Sequence, residues 1–388
     1  MKKSLSTLLF LFFLLTNTIA QKKDMGKQFI PKGYLQNLGT LWMPSSSNEW
    51  KGLQTEQLRL DFNPRFSKSF QANLGIRNIF SFGSIAQLYY SIYQDDVYKD
   101  KGYLNLSWRY SSNQSYVLYS ILDRANVSYT YKNLEVSVGR QRINWSQNLV
   151  WNPNDIFNTF NYFDFDYIER PGSDAVLIQY YTGETSSLQI AAKLDKENQL
   201  TAASMFKFNR WNYDFQVLAG VIPNDITLGF GWSGGIGGAG FNGECTYLLP
   251  RKKLSFQSSQ IIISSGANYT FQNQLYVHIS GIFNSLGGTK QGGSFIYSDR
   301  MLSIKDLTVS RYSLFGEFTY PVTPLITVGL AGIWNPDDHS SYYSPSFSFS
   351  LSKNVDLLLL AQILNGKSSS EFAQYGQFYF MKLKYSFL

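Results

Sequence analysis

The stretch GRQRINWSQNLVWNPNDIFNTFNYFDFDYIERPG, Gly139–Gly172, marks the point where a regular strand pattern stops. Just before it, the apolar residues Leu134, Val136 and Val138 alternate with polar ones, as they do in a half-buried strand. From Asn144 to Ser173 the alternation fails, and aromatic side chains mix with carboxylates. A loop of this length is usually functional or disordered, and its many aromatic residues argue against disorder. The pattern therefore predicts a functional loop whose rings pack on a surface such as the inside of a barrel.

Three motifs in and beside this stretch carry a family resemblance. They are G-R-Q-x-I-x-W at 139–145, W-x-P-x-D-I-F at 151–157 and E-R-P-G-x-D at 169–174. Over about Glu135–Tyr181 the chain resembles large outer-membrane porins of Gram-negative bacteria, including the alginate-export type. The resemblance implies a transmembrane barrel that passes hydrophilic solutes or saccharides, with no cofactor and no chemical step.

The first residues have the pattern of a secretory signal. Met1–Ala20 combines a short basic start, an apolar run from Leu8 to Leu15 and a small-residue cleavage site. The apolar run is too short to span a membrane, so we predict a signal peptide at 1–20. Residues 21–32 would then form a periplasmic leader before a single barrel domain at 33–388.

Composition favours a membrane barrel over a soluble protein. After the signal no stretch approaches the roughly 20 apolar residues of a membrane helix. Aromatic residues nevertheless make up 17% of the chain and charged residues only 16%, against about 25% charged residues in typical soluble proteins. A transmembrane antiparallel up-and-down β-barrel explains both values, since its strands alternate apolar and polar residues. The alternative is a soluble, secreted all-β protein.

Alternation bounded by turn residues predicts 18 strands. They are Gly33–Trp42, Leu53–Phe62, Ser69–Ile79, Leu118–Tyr131, Leu134–Ile143, Asp174–Tyr181, Ser186–Asp195, Leu200–Phe208, Tyr213–Gly220, Ile226–Ser233, Gly240–Leu248, Ser258–Phe271, Gln274–Phe283, Thr308–Tyr320, Pro324–Trp334, Pro345–Ser352, Val355–Leu364 and Tyr375–Leu388. We interpret Phe80–Val117 as loop structure above the membrane, although Ile85–Tyr93 and Tyr103–Tyr110 could form another hairpin.

The connections support an even strand count. Links after even-numbered strands are short, whereas the long links, Phe80–Val117, Asn144–Ser173, Asn284–Leu307 and Asn335–Ser344, all follow odd-numbered strands. Outer-membrane barrels have short periplasmic turns and long external loops. The last strand also resembles the C-terminal signal of outer-membrane barrels, which implies the barrel-assembly machinery and outer-membrane lipid as partners.

Patterns of other protein classes are weak. Gly229-x-Gly231-x-x-Gly234 fits a dinucleotide motif, and Gly231-x-Ser233-x-Gly235 fits a nucleophile elbow, but no helix follows either of them. The two histidines, His278 and His339, suggest no catalytic triad, so we predict no enzyme activity. The net charge of +7 is mild and dispersed, which argues against nucleic-acid binding.

The sequence also predicts no metal and no cofactor. The single cysteine, Cys245, has no partner for a disulfide or a metal site and lies in a predicted lipid-facing row. The loop carboxylates could surround calcium, but their spacing matches no calcium-loop pattern. Turns and arginine pairs are the alternative roles.

The leading hypothesis is a passive channel, because 16 to 18 strands leave an aqueous lumen. The loop residues expected to narrow it or to bind solute are Trp145, Trp151, Asp155, Phe160, Tyr162, Asp164, Asp166, Tyr167, Glu169 and Arg170. Strand residues expected to face the lumen include Arg59, Arg77, Gln141, His278, Arg311, Glu317, Lys382 and Lys384. The alternative hypothesis is a barrel that anchors a surface or envelope protein.

The loop also gives an expectation for ion selectivity. Four carboxylates, at 155, 164, 166 and 169, and one arginine, at 170, give it a net charge of −3. If the loop enters the lumen, this charge would lie near the narrowest point. The sequence therefore predicts a weak to modest preference for cations.

Overall fold

A computed structural model describes residues 31–45, 49–93, 98–100, 102–160, 162, 164–166, 169–251, 259–288, 303–373 and 375–387. The predicted signal peptide at 1–20 and nearly all of the predicted leader at 21–32 lie outside these residues.

The chain forms a closed antiparallel barrel of 18 strands, and one further strand adds to part of the wall. The strands are β1 Lys32–Met43, β2 Lys51–Phe62, β3 Phe70–Gly83, β4 Ser107–Asn113, β5 Tyr116–Tyr131, β6 Leu134–Gln141, β7 Ser173–Tyr181, β8 Ser187–Leu194, β9 Leu200–Arg210, β10 Tyr213–Ile222, β11 Asp225–Ile236, β12 Ala239–Pro250, β13 Gln260–Thr270, β14 Tyr276–Asn284, β15 Tyr312–Thr323, β16 Ile326–Asn335, β17 Ser340–Ser352, β18 Val355–Asn365 and β19 Gln377–Phe387. A helix, α1 Ser84–Tyr93, and a 3-10 turn, Ile304–Asp306, complete the described elements. The barrel closes where β19 pairs with β1, from Gly33 opposite Phe387 to Met43 opposite Gln377.

This architecture confirms the predicted all-β barrel with 18 strands. Several boundaries were wrong: β15 begins at Tyr312 rather than Thr308, β17 begins at Ser340 rather than Pro345, and β3 ends at Gly83 rather than Ile79. Thr308 is held outside the ladder by hydrogen bonds between its hydroxyl and the side chains of Ser313 and Glu371. Ser340 pairs with the last residue of β16, so the expected long link at 335–344 is a turn of residues 336–339.

The connections alternate as expected. Two-residue turns at 132–133, 211–212, 237–238 and 353–354 lie at one end of the barrel, and the long connections 84–115 and 142–172 lie at the other. In the part of the chain that the structure describes, no helix is long and apolar enough to cross a membrane.

The strands have an apolar outer face and an inner face that carries many polar and charged side chains. On β19, Met381 is 51% exposed and its neighbour Lys382 only 7%. Leu383 and Tyr385 share the exposed face with Met381. A closed barrel with this apolar outer band is the architecture of an outer-membrane protein.

The interpretation of Phe80–Val117 as loop structure was incomplete, because it contains α1 and β4. β4 pairs with β5 from Ser107 opposite Ile121 to Asn113 opposite Tyr116. β6 pairs with β5 only from Leu134 opposite Tyr131 to Arg140 opposite Ala125. β4 therefore completes the wall where β6 stops, which the weak local pattern did not predict.

Candidate functional site: an inner lining of the barrel

Residues 142–172, called the lumen loop below, leave the wall at the end of β6. At Gly139 φ is +117°, and a Cβ atom there would lie 2.2 Å from the carbonyl oxygen of Ala125. Only glycine fits this conformation and this close approach. Gln141 then donates hydrogen bonds to the carbonyls of Ser137 and Ala175, at 3.0 and 3.2 Å. These contacts hold β6 and β7 together where the chain turns away from the wall.

The first half of the lumen loop is fixed to the wall by Glu244 of β12. The Glu244 carboxylate is completely buried and accepts backbone N–H groups from Gln147, from Asn148 at 2.9 Å and from Asn154 at 2.8 Å. The Thr246 hydroxyl donates to Asn154 Oδ1 at 2.7 Å. Hydrogen bonds from backbone N–H groups to a buried carboxylate are charge-assisted, so this contact positions the loop firmly.

Glycines on β11 make room for that contact. A Cβ atom at Gly229 would lie 2.4 Å from Asn154 Oδ1, and one at Gly231 would lie 3.1 Å from Asn154 Nδ2. Asn154 Nδ2 also donates to the carbonyl of Phe230, at 3.1 Å. Two glycines of the dinucleotide-like motif therefore lie inside a strand and let the loop approach the wall. The turn glycines, Gly237 and Gly238, have φ values of +59° and +87°.

The aromatic residues of the lumen loop pack on the inner wall. Trp145 donates its indole N–H to Gln189 Oε1 of β8 at 2.6 Å, and its ring meets Phe157 edge-on at a centroid distance of 5.0 Å. Trp151 and Tyr162 both contact Phe315 of β15 edge-on, at 6.4 and 4.8 Å. Tyr162 thus lies well away from the strand that the loop left.

The second half of the loop continues to the strands on the far side of β15. Phe165 meets Phe380 of β19 edge-on at 4.8 Å. Gln36 of β1 donates to Asp166, and the Tyr34 hydroxyl of β1 donates to Glu169 at 3.0 Å.

The loop returns to β7 past the inner face of β5. Arg124 donates to the backbone carbonyls of Glu169 and Arg170, the latter at 2.9 Å. The lumen loop therefore follows the inner wall around most of its circumference. The strands it contacts are β1, β2, β5, β8, β10, β11, β12, β13, β15 and β19.

Basic residues of the wall lie beside the loop carboxylates. Arg59 pairs with Asp61 at 2.8 Å and with Asp123 at 2.6 Å, and its Nε lies 3.9 Å from Glu169. Arg77 reaches Asp123 at 3.2 Å. This part of the lumen therefore has mixed charge.

Two lysines of β19 also lie on the inner face of the wall. Lys382 lies 3.5 Å from the carbonyl of Phe165, and Lys384 lies over the ring of Tyr34 at 4.3 Å. Lys384 of β19 therefore makes a cation–π contact with Tyr34 of the neighbouring strand β1.

The other predicted residues lie in separate places. His278 is buried on β14, with Nδ1 3.9 Å from Glu317 of β15. Arg311 precedes β15, is exposed and donates to the carbonyl of Gly287 at 3.4 Å, so it contacts another loop. Asp164 is exposed, and Tyr167 lies outside the described residues.

Burial shifts the protonation of several loop groups. It raises the pKa of Asp155 to about 6 although Arg142 and Lys193 oppose the shift. It also raises the pKa of Asp166 and lowers that of Arg170, whose guanidinium lies over the Phe160 ring, to about 10. Within the described residues, no three His, Cys, Asp or Glu side chains form a group that could hold a metal ion.

An aromatic row runs along the inner wall towards the lumen loop. Trp42 stacks on Phe378 at 5.8 Å with an interplanar angle of 4°, and Phe378 stacks on Phe380 at 6.4 Å. Phe380 in turn meets Phe165 of the loop. Sequence reasoning missed this row, although Trp42, Phe378 and Phe380 have the parity of inward positions.

Sequence reasoning also missed the groups that anchor the loop. Glu244 is next to Cys245 and so has the parity of an inward position, but alternation does not indicate that its carboxylate accepts N–H groups of the loop. Tyr34 and Gln36 share the inner parity on β1, and only the fold brings them to Asp166 and Glu169.

The comparisons with known proteins agree with this architecture. No family model and no curated protein matches the chain. Its structure is similar to that of the outer-membrane protein OprD from Pseudomonas aeruginosa, with a TM-score of 0.59, 10% identity and coverage of 94% of this chain and 95% of that one. OccAB4 from Acinetobacter baumannii matches with a TM-score of 0.56, 8% identity and coverage of 94% and 100%.

A third similar structure is OccK11 (OpdR) from Pseudomonas aeruginosa, with a TM-score of 0.55, 10% identity and coverage of 92% and 97%. At such low identity these likenesses concern the fold. The chain therefore has the fold of outer-membrane porins of the OprD and Occ type, and the resemblance predicted from its motifs is confirmed at that level.

Proposed function

We propose that the protein is a passive outer-membrane channel for hydrophilic solutes and that the lumen loop forms its constriction. The observation that carries this proposal is the path of the loop around the inner wall, fixed by Glu244 at one point and by Tyr34 and Gln36 at another. A barrel with this strand number has a water-filled interior unless side chains or loops fill it. A loop fixed to the wall narrows such an interior and offers polar groups to a passing solute.

We further propose saccharides as one class of solute. The rings of Trp42, Phe378 and Phe380 stack in a row along the lumen wall, and Phe165 of the loop meets the end of the row edge-on. Sugar rings have apolar faces that can stack on aromatic rings and hydroxyl groups that can bond to carboxylates and arginines. The aromatic row and the partly exposed Glu169 and Lys384 provide these two kinds of contact on the same part of the wall.

The charge pattern argues for neutral or mixed-charge solutes over an acidic polysaccharide such as alginate. Glu169 lies 3.9 Å from Arg59, so wall cations offset part of the negative charge of the loop, while Asp164 stays exposed. We expect a weak cation preference, measured as the reversal potential across a salt gradient. Strong anion selectivity would instead favour passage of polyanions.

Conductance in planar bilayers tests the proposal. The purified protein should form open channels by itself, and neutral sugars added to one side should reduce their current. Trp42→Ala should weaken this block, whereas Trp334→Ala, a change to an exposed tryptophan on the outer face of β16, should leave it unchanged.

Absence of channels would remove the proposal and favour the alternative, a barrel that anchors a partner protein. Such an anchor would be silent in bilayers and would be isolated together with its partner. We also propose that β19, whose outer face carries Met381, Leu383 and Tyr385, is recognised by the barrel-assembly machinery during insertion.

A further inference from the structure

The outer face of the barrel is polar in one uncovered place. The pairing registers of β1, β2 and β3 put Asn37, Gln54, Glu56 and Asn78 among residues that point away from the lumen. Asn37 lies opposite Leu383 on one side and Glu56 on the other, and Leu383 belongs to the exposed apolar face of β19. Asn78 is already paired within the wall, because its side-chain oxygen accepts from the Ser120 hydroxyl at 2.6 Å and its amide donates to the carbonyl of Leu58 at 3.4 Å. We call the other three residues the outer polar patch.

Asn37 and Glu56 lie near the middle of their strands, which span Lys32–Met43 and Lys51–Phe62. The Asn37 amide donates to Glu56 Oε1 at 2.6 Å, and both residues are partly exposed. Among the described residues no lysine or arginine forms an ion pair with Glu56. Ionisable groups at this depth on a lipid-facing surface are costly and rare, which makes them candidates for function.

The rest of the described outer face is different. Away from the strand ends, its other amide or charged side chains are Arg140 and Asp174, which are paired at 2.7 Å. The chain covers that pair with its own residues 98–100 and 102–106, since Asp100 binds Arg140 and the Leu104 N–H donates to Asp174 at 2.8 Å. No described segment covers Asn37 or Glu56 in this way, so within the described residues their remaining hydrogen-bonding groups face the membrane.

An apolar groove and an aromatic ridge flank the patch. The groove has a volume of about 810 Å³ and reaches from the outer face of β17 to β3, with Gly39 and Gly52 in its floor and Leu41, Phe347 and Met381 among its lining residues. Phe82 of β3 lines the edge of the groove, and its ring lies 5.0 Å from that of Phe80, so the two rings form an aromatic ridge beside the groove. Groove and ridge both lie in the half of the barrel nearer the long connections.

We propose that the outer polar patch binds a second copy of this chain, in a two-fold symmetric dimer within the membrane. A second copy can offer uncovered amides and a carboxylate at this depth only from its own patch, because the rest of its outer band is apolar or covered. Contact between identical patches is isologous, as in most dimers. Asn37 has a second N–H group and Glu56 a second oxygen, and these can bond across the two-fold axis.

The shape of the surface fits the same symmetry. A two-fold axis parallel to the barrel axis and passing beside β2 sets the Phe80–Phe82 ridge of each copy against the groove of the other. The glycine floor at Gly39 and Gly52 lets large side chains approach closely, as small residues do at other membrane interfaces. A lipid chain could fill the groove but would leave the hydrogen-bonding groups of Asn37 and Glu56 in hydrocarbon.

Disulfide cross-linking in isolated outer membranes tests the contact. Leu58→Cys, made together with Cys245→Ser, introduces one thiol next to Glu56 on the outer face of β2. The matched control is Ile279→Cys in the same background, on the exposed outer face of β14. With a copper oxidant we expect reversible dimers from Leu58→Cys at several times the yield from Ile279→Cys. Equal yields, or no dimers from Leu58→Cys, would overturn the proposal.

The mass of the protein in nanodiscs made from native membranes provides a second test. We expect a dimer for the unmodified chain and a monomer for the Asn37→Leu/Glu56→Leu double variant, whose new side chains suit a lipid-facing surface. Unchanged channel conductance and heat-modifiable gel migration would show that the variant is folded. A monomer with bound lipid, a trimer, or a dimer that persists in the folded variant would each contradict the proposal.

Discussion

Glu244 and Cys245 are neighbours on β12, yet they lie in opposite surroundings. Glu244 is completely buried under the lumen loop and accepts N–H groups from it, whereas Cys245 is partly exposed on the outer band, next to Phe230 of β11. The same contrast holds around most of the barrel. The outer face needs only to be apolar, but the inner face is a fitted surface that pairs specific polar groups with one long loop. The two faces should therefore respond differently to substitution.

The largest effect is expected from removing the lining itself. Deletion of residues 152–167 takes away the part of the loop that crosses from β12 to β19 and should leave the 18-stranded wall intact. Since the lumen would then approach its full width, single-channel conductance should rise severalfold. Unchanged conductance would show that the loop does not narrow the channel.

A charge placed on either face compares the two faces directly. Val328→Arg on the outer face of β16 should destabilise the barrel by about 2–4 kcal/mol, because arginine near the membrane centre is costly. Ser348→Arg, on the exposed inner face of the neighbouring β17, should have little effect. Urea unfolding in lipid vesicles measures both. If the two changes destabilised the barrel equally, the assignment of Val328 to the outer face and Ser348 to the inner face would be wrong.

Loosening one anchor should have a smaller effect than deletion. Glu244→Ala removes the acceptor of three backbone N–H groups, and each buried group left unpaired costs about 1–3 kcal/mol. The first half of the loop should then detach intermittently, seen as added open-channel noise and a conductance between those of the native and deletion channels. Glu317→Ala, at a wall carboxylate near His278, is the control and should leave the noise unchanged.

The strands were predictable from sequence for a simple physical reason. A strand between lipid and water must alternate, as Met381, Lys382 and Leu383 do, and each turn interrupts the pattern. Alternation also predicted that Arg59 and Lys384 face the lumen. It could not give the path of the lumen loop, because that path depends on contacts between residues about 90 positions apart, such as Asn154 with Glu244.

Two other features were hidden for related reasons. β4 pairs with the part of β5 that β6 leaves free when the chain turns into the lumen after Gln141. The position of β4 therefore depends on residues that are distant in sequence. Glu56 follows the alternation of its strand, but its outward direction conflicts with its charge. The register of β1 and β2 places the Asn37 amide beside it, which supplies one hydrogen bond that the alternation does not reveal.

The smallest expected effect is on pH dependence. Burial raises the pKa of Asp155 to about 6, so the packed loop favours the protonated form. Packing should be strongest below the ordinary aspartate pKa of about 4 and should weaken as the pH rises through about 6. Open-channel noise should therefore increase between pH 4 and 7 in the native channel.

Asp155→Asn provides the matched control. The amide keeps the shape of the side chain without a titrating charge beside Arg142 and Lys193, so the noise should depend less on pH. A native channel whose noise is constant over this range would contradict the assignment to Asp155.

The central claim, that the lumen loop is fixed to the far inner wall, is tested most directly by a disulfide between residues 154 and 246. In the native chain Asn154 Oδ1 and Thr246 Oγ1 are 2.7 Å apart. In a Cys245→Ser background, Asn154→Cys/Thr246→Cys should oxidise readily, and the oxidised channel should keep its native conductance. The control pair Asn154→Cys/Ser348→Cys should not form a bond. Failure of the first pair to cross-link in the folded barrel, or equal cross-linking of both pairs, would contradict the account.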